Sequence, residues 1–105
     1  MNALANTSPR DQEDHLLNKC VAVSLGRLDK AADGIEANVF RVASLVLQST
    51  YPTHATKLAQ VAAVYFDSHP GELVQSAQVV RNRWVASLPR LRDMLSSKFK
   101  FGAHA

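Results

Sequence analysis

The stretch Ile35–Gln48, IEANVFRVASLVLQ, decides how this chain is read. Its apolar residues recur at Ile35, Val39, Val42 and Val46, at offsets of 0, 4, 7 and 11, which puts them on one stripe of an α-helix. Phe40, Ala43 and Leu47 form a second row beside that stripe, and Leu45 adds to it. Only Glu36, Asn38, Arg41, Ser44 and Gln48 interrupt. A helix apolar over so much of its circumference has to be covered on more than one side. The spacing therefore predicts an all-α fold, a small bundle of four to five helices around a central apolar helix at about residues 34–50. It also predicts that Val42→Asp unfolds the chain, because a buried charge without a partner costs several kcal/mol.

The neighbouring sequence supplies the ends of this helix and the elements around it. Asp33-Gly34-Ile35-Glu36 has the form of a capping box, an N-cap Asp with a Glu three residues on. Upstream, Ser8-Pro9 opens a first helix, and Asp11, Glu13 and Asp14 follow with the sign its dipole favours. Its stripe is Leu17, Val21, Ser24 and Leu28, flanked by Leu16, Cys20 and Val23, with Gly26 as a weak point or bend. Downstream, Pro52 stops the central helix, and Thr53 is placed to cap a third helix with Ala55, Leu58, Ala62 and Tyr65 on one face. After a turn over Asp67–Gly71 the fourth helix carries Leu73, Ala77, Val80 and Trp84. Ser87-Leu88-Pro89 breaks the chain, and a short last helix carries Leu88, Leu91 and Leu95. The division expected is a flexible N-terminus over 1–8, one helical domain over 9–98 and a C-terminal tail over 99–105.

At 105 residues and 47% hydrophobic composition, the chain can bury a core without disulfides or metal. The single cysteine, Cys20, sits among apolar neighbours and reads as an inert buried thiol. No basic-then-apolar leader opens the chain and no stretch approaches ~20 apolar residues, so a cytoplasmic protein without membrane contact is expected. Charge is unevenly placed. Residues 1–70 carry six Lys/Arg against seven Asp/Glu, residues 71–105 six against two, so the last third carries +4 and the rest −1. Such a patch attracts phosphates or acidic protein surfaces, or else balances the acidic N-terminal segment.

Catalytic signatures are missing. His15, His54, His69 and His104 lie at the ends of different elements, without the spacing that sets two ligands on one metal. Asp67-Ser68-His69 holds the triad residue types, but consecutive residues in a turn point apart rather than converging. There is no glycine-rich phosphate loop. The expectation is a non-enzymatic protein with no cofactor and no metal.

Two features point to macromolecular partners. The first is the basic, aromatic segment Arg81, Arg83, Arg90, Arg92, Phe99 and Phe101, composed of residue types common in interface hot spots. It suggests a small helical adaptor, regulator, chaperone or antitoxin-like protein that docks another protein or forms a homodimer. The second is the polar face of the fourth helix, Gln75, Gln78, Arg81, Asn82 and Arg83. Those side chains can pair base edges and phosphates. They suggest the alternative, a DNA-binding regulator of helix-turn-helix type using the helix at about 71–86.

Overall fold

The computed structural model describes residues 9–104, with side chains over residues 10–97. Over the described residues five helices follow in order: α1 (Pro9–Ser24), α2 (Gly34–Leu47), α3 (Pro52–Ser68), α4 (Glu72–Arg83) and α5 (Arg90–His104). No strand occurs among the described residues. Among the described residues no helix is long and apolar enough to cross a membrane. The expected flexible segment 1–8 lies outside the described residues, and helical backbone carries through 99–104 as part of α5.

α1 ends where its backbone carbonyls are intercepted. Gly26 takes φ 75°, its N–H bonds the Val23 carbonyl at 3.0 Å, and the Arg27 N–H bonds the Ala22 carbonyl at 2.8 Å. This is the Schellman pattern, and it needs a residue at ease in the left-handed region. Gly26 thus terminates α1 rather than bending it, and Leu28 falls outside the helical stripe. Asp33 caps α2, accepting from the Glu36 N–H at 2.9 Å. The reciprocal arm of the box is displaced by one residue, because the Glu36 carboxylate accepts from Ala32 N–H at 3.0 Å and pairs with Lys19 of α1. α3 starts at Pro52 itself, with Tyr51 as N-cap and no side-chain cap bond. Proline's missing N–H costs nothing at the first helical position, so Thr53 lies inside the helix instead of capping it.

α2 is the hub: α1, α3, α4 and α5 all pack on it, α3 most extensively. The helix is indeed covered on several sides, but its phase differs from the stripe counted first. Val39, Phe40, Ala43 and Leu47 are fully buried, whereas Ile35, Val42 and Val46 are half-buried. At ~100° per residue the core is centred on the second row, rotated by about one residue's turn. Leu17, Cys20, Val23, Leu58, Val80, Leu88, Leu91 and Leu95 close the core from the other helices. Along α4 the buried line runs Ser76, Val80, Trp84, continued by Leu88, and Leu73 is exposed. Tyr51, at the α2–α3 corner, hydrogen-bonds Ser96 of α5 through its hydroxyl at 2.7 Å.

Candidate docking surface

The α2–α4 junction is built on a buried amide. Asn38 is 0% exposed. Its Nδ2 donates to the Leu73 carbonyl at 3.2 Å and to Ser76 Oγ. Ser76 in turn donates to the Glu72 carbonyl one turn back, a bond that holds the hydroxyl inside its own helix. Asn38 Oδ1 accepts from Arg41 Nε at 2.8 Å. A buried amide is tolerated because both of its ends are used. Here the last of those bonds fixes the arginine one turn further along α2.

Arg41 lines an open cleft of 350 Å³ between α2 and α4, together with Leu73, Val74, Ala77, Gln78 and Arg81. The lining contains no carboxylate. Among the described residues, neither Arg41 nor Arg81 pairs with an acidic side chain. Val74 is 79% exposed at this cleft, and Leu45, one turn beyond Arg41 on α2, is 62% exposed. Leu45 borders a further cleft of 340 Å³ between α2 and α3, edged by the small residues Ala55 and Ala59. An accessible face with apolar and cationic groups therefore crosses three helices.

The other flank of α4 has opposite character. A cleft of 290 Å³ is lined by Asp33, Gly34, Ile35, Glu72, Gln75, Ser76 and Val79. Glu72 there accepts from the Tyr65 hydroxyl at 2.8 Å. The Tyr65 phenol is pushed up to about 12, first by burial and then by its bond to Glu72 and the charges of Glu72 and Asp33. The ring stacks on His69 with centroids 4.3 Å apart. Its polar groups already serve the α3–α4 corner, which leaves this cleft less to offer a ligand than the cationic one.

The residues singled out by sequence do not form one cluster. Arg90 pairs with Glu13 and Asp14 of α1, the latter at 3.0 Å. Arg83 donates to Gln12 at 3.2 Å and lies 5.3 Å from the Trp84 ring. These two arginines tie the C-terminal third to the acidic first helix. Arg92 is exposed on α5, and the Phe99 and Phe101 side chains lie outside the described residues. Gln75, Gln78, Arg81, Asn82 and Arg83 are all exposed on α4. They are split, however, with Gln75 in the acidic cleft and Gln78 and Arg81 in the basic one. Sequence reasoning missed Arg41, Leu45 and Val74 as surface groups. In the sequence Arg41 is an interruption of an apolar run, and Val74 lies next to the Leu73–Trp84 stripe with nothing local to mark it as exposed.

Among the described residues no three His, Cys, Asp or Glu side chains come together to hold a metal ion. Cys20 is fully buried, and its thiol is pushed far up by burial and then by Glu36, which removes thiolate reactivity. His54 is pulled down by partial burial and by Lys57, against a bond to the Ser24 backbone that raises it. Comparison of the chain with known protein families, with curated proteins and with solved structures finds no match.

Proposed function

We propose that this protein is a non-enzymatic docking module: a small helical adaptor, regulator, chaperone or antitoxin-like partner that binds another protein through the α2–α4 face. The observation that carries this reading is Val74, an aliphatic side chain left in water beside two guanidinium groups that have no acidic partner among the described residues. Arginine beside exposed apolar surface is a combination that protein interfaces use. The basic third of the chain contributes less than its charge suggests, since Arg83 and Arg90 are engaged by α1. A second copy of the chain on the same face is the alternative partner within this reading, and the setting it implies is cytoplasmic.

The second reading, DNA binding by α4, is favoured by the exposure of Gln75, Gln78, Arg81, Asn82 and Arg83. It fits the geometry less well. α3 and α4 each pack on α2 and barely touch one another, whereas a helix-turn-helix packs its two helices as a unit. Glu72 also occupies the first turn of α4, where a recognition helix approaches phosphates and bases. A pull-down from the native host tests both readings, run with and without nuclease and with Val74→Asp beside the wild type. A protein partner retained after nuclease and lost with Val74→Asp supports docking. Nucleic acid that co-purifies independently of Val74 supports the second reading and overturns the first.

A further inference from the structure

We infer that the α2–α4 groove takes an acidic amphipathic helix of a partner protein, with an apolar side chain on Leu73, Val74 and Ala77 and carboxylates on Arg41 and Arg81. This rests on the protein-docking reading above and names the chemistry of the partner. Charge favours such a partner. The groove carries two arginines and no acid, while other basic groups that the fold needs are already satisfied, Arg90 by Glu13 and Asp14 and Lys19 by Glu36. Two desolvated cations beside a partner's apolar surface would be costly unless that partner brought anions.

The groove is also preorganised. Asn38 is anchored to α4 through the Leu73 carbonyl and Ser76, and it occupies Arg41 Nε. A side-on carboxylate uses Nε and one Nη, so the bond to Asn38 leaves the end-on fork of the two Nη groups. That fork matches a carboxylate with two parallel hydrogen bonds. Arg41 has already lost part of its rotamer freedom in the free protein, so binding orders it at a smaller entropic cost. Asn38 is thus a positioning residue for the proposed contact.

Competing ligands fit the groove less well. A phosphodiester backbone has no group to cover Val74, which is 79% exposed in this groove. A small inorganic anion leaves the apolar floor wet. A helix laid between α2 and α4 covers that floor while its flanking residues reach both arginines, which is the helix-in-groove mode of recognition. In a second copy of this chain the Glu13 and Asp14 carboxylates of the acidic α1 are already held by Arg90, so that helix has less to offer the groove than a partner with free carboxylates.

The test uses the full chain and three designed peptides of about 16 residues, long enough to be helical. They share one leucine stripe and differ only in carrying Glu, Gln or Lys beside it. Binding is read by fluorescence anisotropy. The Glu peptide is expected to bind about tenfold more tightly than the Gln peptide and the Lys peptide most weakly. Arg81→Gln and Arg41→Gln should each shrink the Glu-over-Gln preference and leave the Gln peptide's affinity unchanged. Val74→Asp should weaken both. Equal binding of the Glu and Gln peptides, still sensitive to Val74→Asp, overturns the acidic partner and leaves the docking reading standing. Absence of binding by all three overturns the inference, and docking is then judged by the pull-down alone. Self-association of the wild type that Val74→Asp abolishes, seen by light scattering, overturns it in favour of a second copy.

Discussion

Arg90, the first residue of α5, donates to Asp14 Oδ1 on α1 at 3.0 Å and also pairs with Glu13. The bond to Asp14, followed by that to Glu13, holds the guanidinium above its ordinary pKa, so the arginine is charged at every accessible pH. The contact joins the two charge-rich ends of the sequence, the acidic start and the basic finish. Because the pair is exposed, its contribution is Coulombic and screened by salt. Arg90→Gln should therefore lower the melting temperature at low ionic strength, with the difference shrinking as salt approaches ~1 M. Arg92→Gln, on the same helix and exposed, should leave the melting temperature unchanged. Thermal denaturation of both variants at two salt concentrations checks this, and equal effects would show that the α1–α5 contact is not what holds α5 in place.

That contact also shows where sequence reading stopped. The basic excess after residue 70 is visible in composition, but composition cannot say which arginines are consumed internally. Arg83 meets α1 from the end of α4 and Arg90 from the start of α5, pairings over more than seventy residues that no local pattern encodes. The five-helix architecture was legible because proline, glycine and the Asp33 cap punctuate it locally. The phase of α2 was not. Two apolar rows compete on that helix, and the choice between them is made by packing against its neighbours rather than by the helix itself.

The Tyr65–Glu72 bond makes a prediction at high pH. Tyr65 should ionise at about 12 in the folded protein instead of near 10. The folded state then retains a proton that the unfolded state releases, so stability is fully present below pH 10 and is lost as pH rises through about 12. Absorbance titration of the tyrosines reads this directly, with Tyr51→Phe isolating the Tyr65 signal. Glu72→Gln should move the midpoint back toward 10. A midpoint that stays put would mean that burial alone sets it.

Gly34 is the first residue of α2 and sits against α4. A Cβ placed there would lie 2.9 Å from Glu72 Oε1, 3.1 Å from Ser76 Oγ and 3.2 Å from Glu72 Cβ. Gly34→Ala would gain up to ~1 kcal/mol in helix propensity. Against that gain, Ser76 is pinned by Asn38 and by its own helix, and Glu72 by Tyr65. Overpacking costs ~1–3 kcal/mol where neighbours cannot retreat. The clash should win, giving a net loss of about 1 kcal/mol, measured by urea denaturation. A stabilised Gly34→Ala variant would show that α4 can slide along α2 at little cost.

The rotation of α2 gives the clearest test of the fold. Val39 is 0% exposed and meets the core on every side, whereas Val42 is half-buried at the edge of the helix's covered face. A carboxylate at position 39 has no counter-charge and no route to water, so Val39→Asp should cost several kcal/mol and unfold the protein. At position 42 the carboxylate can turn toward solvent, and Val42→Asp should leave a folded, weakened protein rather than the unfolded chain that the apolar stripe alone predicts. Phe40→Ala, opening a cavity at a fully buried site, should cost ~3–5 kcal/mol. Far-ultraviolet circular dichroism with urea titration ranks the three. If Val42→Asp proves as damaging as Val39→Asp, the core lies on the first apolar row, and Arg41, one residue from Val42, would no longer face the groove proposed for the partner helix.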